Sequence, residues 1–230
     1  MATDVTGQKS GEVIVLFALE REAAPFRRLA RNLIAVRIHV TGVGRKRLRA
    51  ALDKILSESK TPSCIIAAGF CGALQPDLKV GDVVIANEVV DQSGHSWRVT
   101  DNRNHLKQSN RRLLTVNYLL AKAAEKQRLG ELHKADVVDM ESAAVAQVCA
   151  ARCVPFLVMR AVSDTVDTEL SPELVKLLSG GNVSVWKAVR ALIGKPTLLG
   201  EFRKLARDTK LAARKLAESL ERIIRSSFSD

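Results

Sequence analysis

The chain has 230 residues, 47% of them hydrophobic, and carries a net charge of +11. That length suits one large domain, read over residues 1–230, whose core falls to aliphatic side chains because aromatics make up only 4%. No apolar run approaches the roughly 18 residues that cross a bilayer. The polar start, Met1 to Ser10, has no signal-peptide core, so a cytoplasmic location is expected. Cys64, Cys71, Cys149 and Cys153 match no metal or disulfide spacing, and no metal is expected. The positive charge suits nucleic acid, an anionic membrane or a solvated surface. The basic residues lack interleaved aromatics, which argues against specific nucleic acid binding.

Glu12–Ala18 is apolar and β-branched after its first residue and predicts a buried strand. A helix is expected over Glu20–Arg31, then a strand over Leu33–Val40 ending in the glycine-bearing loop Thr41–Gly44. Arg45–Ser57 has helical spacing. Cys64–Ala68 predicts a third buried strand, closed by a glycine-rich turn over Gly69–Gly72. Val83–Ala86 is a fourth strand. A polar stretch from Asp91 to Arg112 contains a short hairpin or loop around Ser96–Thr100. Leu113–Leu119 predicts a strand and Ala121–His133 a helix. Val137–Ala146 reads as a helix feeding the strand Val154–Asp164. Beyond a loop broken by Pro172 and Gly180–Gly181, helices are expected over Val183–Ile193 and Leu198–Ser226, making an extended basic C-terminus from about residue 183. Alternating strands and helices, with strands apolar on both faces, imply an α/β/α sandwich. Ligands in such folds sit beyond the carboxyl ends of the strands, where Glu20, Glu22, Thr41–Gly44, Gly69–Gly72 and Asp164 fall.

Two carboxylates bracket the most informative region. Glu141 enters a helix of small residues, Asp164 leaves a buried strand, and Arg160 stands between them. Each alone has a bland explanation: a helix cap for Asp164, a dipole-favoured acid for Glu141, a structural ion pair for Arg160.

Four motifs, in order over residues 12–165, resemble the nucleoside phosphorylase and nucleosidase family. They are Ala18-Leu-Glu-Arg-Glu22, Gly69-Phe-Cys-Gly-Ala-Leu with Lys79-Val-Gly-Asp-Val-Val84, Asp139-Met-Glu-Ser-Ala-Ala144 and Arg160-Ala-Val-Ser-Asp164. The resemblance implies a three-layer sandwich around a mixed, partly barrel-like sheet that cleaves the N-ribosidic bond of an adenine nucleoside. The base leaves readily only if a ring nitrogen is protonated, and a carboxylic acid supplies such a proton. Asp164 is then the acid, acting at purine N7. Glu141 grips the ribose hydroxyls, Met140 packs on the sugar, and Arg160 orients Glu141 or binds an anion. Glu22 activates the nucleophile, with Glu20 as its competitor. Tyr118, Leu119 and Ser163 are the base-side candidates. No cofactor is implied, and phosphate is the alternative co-substrate to water. Relatives imply a homo-oligomer, a dimer or larger.

The chain departs from the family at the glycine-rich turn. Phe70 stands where several relatives have Ser, and Ala67 and Ala68 stand where phosphorylases carry Arg. Backbone N–H groups of Cys71 and Gly72, and Arg45 from the preceding loop, remain anion candidates. Hydrolysis is favoured on Glu22, with phosphorolysis open. A non-catalytic nucleoside- or membrane-binding protein is the rival, resting on Phe70. Pro196–Asp208 resembles the hopanoid-associated phosphorylase branch, which implies a lipid-linked adenosine such as adenosylhopane. The basic amphipathic stretch Phe202–Phe228 suits either peripheral membrane contact or an ordinary helix packed by its apolar face.

Overall fold

The computed structural model describes residues 12–33, 35–58, 61–99, 111–179 and 196–228. Strand β1 (Val13–Phe17) is buried along its whole length and pairs in parallel with β2 (Val36–Val40) and β3 (Cys64–Ala73). This is the arrangement expected of a continuous aliphatic run covered on both faces. Helix α1 (Glu20–Leu29) and a single 3-10 turn connect β1 to β2, and α2 (Arg45–Glu58) connects β2 to β3.

The remaining strands are β4 (Val83–Asp91), β5 (Ser96–Arg98), β6 (Arg111–Thr115), β7 (Val137–Asp139) and β8 (Phe156–Asp164). Five strands close a ring: β3 pairs β8, β8 pairs β4, β4 pairs β6, β6 pairs β7, and β7 returns to β3. The β4–β8 and β3–β7 pairs are antiparallel and the other three parallel, so the sheet is mixed and barrel-like, as anticipated. Helices α3 (Ala123–His133), α4 (Ser142–Ala151), α5 (Pro172–Ser179) and α6 (Pro196–Phe228) complete the described fold.

Three expectations are corrected. The glycine-rich segment 69–72 is not a turn; β3 runs through it to Ala73, with a bulge between Cys71 and Gly72. Dense local glycine suggested a turn, but here the missing Cβ atoms make room for neighbouring side chains. Val137–Ala146 is not one helix. Its first three residues form β7, and α4 starts at Ser142. The strand expected over Leu113–Leu119 ends at Thr115. The helix expected over Val183–Ile193 lies outside the described residues.

Helix α6 settles how its two faces are used. Ala212, Leu216, Ala217, Leu220 and Ile224 are buried in the main core. Arg203, Lys204, Arg207, Lys210, Arg214, Lys215, Arg222 and Arg225 are exposed. From Ala212 to Ile224 the apolar stripe is therefore packed against the rest of the chain, as in an ordinary amphipathic helix. Among the described residues, no helix is long and apolar enough to cross a membrane.

Candidate active site

The site is assembled where β1, β3 and β8 end. Glu22, in the first turn of α1, turns back over the helix start. Its Oε2 accepts the N–H groups of Ala18 (3.1 Å) and Leu19 (2.9 Å), and its Oε1 accepts that of Phe70 (3.0 Å). Three backbone donors fix this carboxylate, which is only 4% exposed. Burial pushes its pKa up, against the lowering effect of Arg160 and those N–H groups. Glu20, its rival in the sequence, points away and pairs with Arg27 on the surface.

Gly69 lies between Glu22 and Arg160. A Cβ there would stand 2.3 Å from Arg160 Nη1 and 3.1 Å from Glu22 Oε1, so only glycine lets the two groups approach. The guanidinium of Arg160 is buried. Its Nη2 pairs with Asp139 at 2.7 Å and also donates to Ser142 Oγ at 2.9 Å. Arg160 is thus ion-paired to Asp139, a residue to which sequence reasoning gave no role. Asp139 also accepts from the Thr115 hydroxyl (2.8 Å) and from the Ser142 N–H and hydroxyl, so it caps α4 and anchors Arg160 together.

Glu141 is the N-cap residue of α4, yet its side chain does not cap the helix. Its Oε1 accepts the N–H of Gly44 at 3.2 Å, across the chain in the loop before α2. Gly44 holds a φ of +105°, a conformation open to glycine. Arg45 follows directly and opens α2. Burial first, and then the neighbouring Asp139, raise the Glu141 pKa to about 7.

Asp164 ends β8. Its Oδ1 lies 2.7 Å from Ser163 Oγ, whose one hydrogen is shared with the Cys71 carbonyl oxygen at 3.1 Å. Its Oδ2 accepts from Lys126 Nζ at 2.5 Å. Gly72 is the second close approach: a Cβ there would stand 3.0 Å from Asp164 Oδ2. Asp164, Lys126, Gly72, Met140, Tyr118 and Leu119 line one small cavity of about 50 Å³. Tyr118 is half-exposed and its hydroxyl donates to Glu125 at 2.8 Å.

Of the residues expected from the sequence, Asp164, Met140, Tyr118, Leu119 and Gly72 meet in that cavity, and Ser163 touches its acid. Glu22, Arg160 and Gly69 form a second cluster on the other side of Asp139–Glu141. Phe70 contributes its backbone to Glu22 but sends its ring to a separate apolar cavity of about 360 Å³ lined also by Arg21, Pro25, Phe202 and Leu205. The guanidinium of Arg21 sits 5.9 Å from that ring. The open anion-binding turn expected at Cys71 and Gly72 does not form, because both residues lie in paired strand. Cys71 is buried, and burial pushes its thiol well up. Sequence reasoning missed Asp139 and Lys126. The first stood inside a quoted motif; the second had no signal, being one lysine in a polar helix.

This closed mixed sheet, with a buried acid–arginine cluster beside a strand-end acid, defines an enzyme of the nucleosidase and phosphorylase class. The chain belongs to the phosphorylase superfamily, whose sequence model matches residues 21–122 and 103–180. It is 28% identical to a 5'-methylthioadenosine/S-adenosylhomocysteine nucleosidase of Tolumonas auensis over 56% of this chain and 68% of that one. The nucleosidase of Staphylococcus haemolyticus is 26% identical over 66% of this chain and 78% of that one. Among solved structures, the same nucleosidase of Helicobacter pylori superposes with a TM-score of 0.71 at 17% identity, covering 95% of this chain and all (100%) of that one. The futalosine hydrolase of Helicobacter pylori gives 0.70 at 17% identity, over 94% and 98% of the two chains.

Proposed function

We propose that this protein hydrolyses the N-ribosidic bond of an adenine nucleoside and releases the free base. The observation that carries this reading is the placement of Asp164. It faces a cavity shared with Met140, Tyr118 and Leu119, while Glu22 and Arg160 converge on Gly69 beyond Asp139 and Glu141. Asp164 protonates the leaving base, Glu141 accepts the ribose hydroxyls, and Glu22 holds the attacking water. Water is favoured over phosphate for two reasons. The Phe70 N–H is already taken by Glu22, and the Phe70 side chain offers an anion no hydrogen bond. A buried carboxylate at that point also disfavours a second anion.

The 5′ substituent is the finer part of the proposal. The cavity of about 360 Å³ begins at Phe70, whose backbone touches Glu22, and is walled by Pro25, Phe202 and Leu205. It suits an apolar 5′ group, and its volume exceeds what a methylthio group needs. A lipid-linked adenosine such as adenosylhopane fits that reading together with the resemblance of Pro196–Asp208.

The test is a screen of adenosine, methylthioadenosine, S-adenosylhomocysteine and an adenosylated lipid, each with and without phosphate. Adenine release without phosphate is expected, and release only with phosphate would overturn hydrolysis. Asp164→Asn should lower the rate of base release by about two orders of magnitude or more, the range of a general acid. Near-normal turnover in that variant would sink the mechanism.

A further inference from the structure

Lys126 is 1% exposed, in the first turns of helix α3. A buried ammonium is costly unless every hydrogen finds an acceptor. Here all three do: Asp164 Oδ2 at 2.5 Å, the Thr165 carbonyl oxygen at 2.8 Å and the Thr168 carbonyl oxygen at 3.1 Å. Lys126 therefore fixes one oxygen of Asp164, Oδ2. At Oδ1 the partner is Ser163, whose one hydrogen also faces the Cys71 carbonyl oxygen, so that contact is open to the acid's own O–H.

We propose that Lys126 is a positioning residue that acts through Asp164, holding Oδ2 so that the acid faces the leaving base across the cavity. This rests on the function proposed above. The O–H bond of Asp164 breaks as its hydrogen moves to the purine ring nitrogen and the C1′–N bond breaks, the electron pair of that bond leaving with the base. Asp164 recovers a proton from water once the base has gone. Because the same ammonium also holds Thr165 and Thr168, it ties the acid to the loop that follows it.

Lys126→Met is the deciding variant in the full-length protein. Methionine keeps the length of the side chain and gives Asp164 no hydrogen bond. Two substrates are compared: the adenine nucleoside and the same nucleoside methylated on N7, whose base leaves without further protonation. With the first, kcat should fall about 100-fold or more, with KM within a few-fold of wild type, the loss expected when a general acid is disabled. With the N7-methylated substrate, kcat should stay within a few-fold. Lys126→Arg, whose planar guanidinium cannot gather the same three acceptors at one nitrogen, should show the same selectivity with a smaller loss; folding of both variants is checked by thermal unfolding, and if Lys126→Met does not fold the arginine variant decides. Equal losses on both substrates, or near-normal kcat on the first, would overturn the inference while leaving the proposed function standing. A wild-type protein that releases no base from any purine nucleoside would overturn both.

Discussion

The two buried cations of the site are used in opposite ways. Arg160 comes from a strand and pairs with Asp139, an acid that also caps α4 through Ser142. Its other nitrogen, Nη1, reaches the space over Gly69 beside Glu22. Lys126 comes from a helix and pairs with Asp164 itself. One cation is anchored by a structural acid and reaches toward the nucleophile side. The other is spent on the acid that faces the base. The contrast teaches that the two halves of one reaction can be held by different means. The Glu22–Arg160 side is fixed by backbone N–H groups and a helix cap, and stability and function are tied together there. On the Asp164–Lys126 side, the fixing is done by side chains that border a cavity.

Replacing Arg160 is the strongest way to break this contrast. Arg160→Met leaves Asp139 buried at 5% exposure without its cation. Removing one partner of such a pair costs about 3–5 kcal/mol. Urea unfolding should show a loss of that size; a loss below about 1 kcal/mol would mean that Asp139 is satisfied by Thr115 and Ser142 alone.

The pH dependence of stability sharpens the same side. Glu141 titrates near 4.5 in an unfolded chain and is raised to about 7 in the fold. The folded state therefore keeps a proton that the unfolded state releases. The stabilisation from this group is complete below about 4.5 and is lost as the pH rises to about 7. Glu141→Gln stays neutral throughout. Its stability should match the wild type near pH 4.5 and exceed it at pH 8 by up to about 3 kcal/mol, at roughly 1.4 kcal/mol per pKa unit. A difference that does not change between the two pH values would contradict the raised pKa.

The smallest effect belongs to the rim of the base-side cavity. Tyr118 is 41% exposed and its hydroxyl meets the exposed side chains of Glu125 and Gln92. Tyr118→Phe keeps the ring and should change stability by less than about 0.5 kcal/mol, as measured by thermal unfolding. A larger loss would place this tyrosine in the supporting framework and not at the rim.

Much of this was legible before any coordinates. The aliphatic runs at Val13–Phe17, Cys64–Ala68 and Phe156–Val162 announced strands buried on both faces. Glu141, Arg160 and Asp164 stood out as charges within or at the ends of apolar elements, and Glu22 through the family resemblance. The short strand β7 was not legible, since three residues before a helix carry no period of their own. The continuation of β3 through two glycines was misread for a related reason. Gly69 and Gly72 are required by side chains arriving from α1 and β8, and not by a reversal of the backbone.

The sequence by itself determined the α/β alternation, the family motifs and the acids that carry them. These follow from local periodicity and from residue types whose burial demands a reason. Only the tertiary structure decided that the sheet closes into a ring, that Asp139 and not Glu141 holds Arg160, and that Lys126 reaches Asp164 from 38 residues away. Such partners depend on which side chains meet across elements, and the residue order of a single helix does not encode that. A lone lysine in a polar helix looks solvated until another segment of the chain presents it with three acceptors.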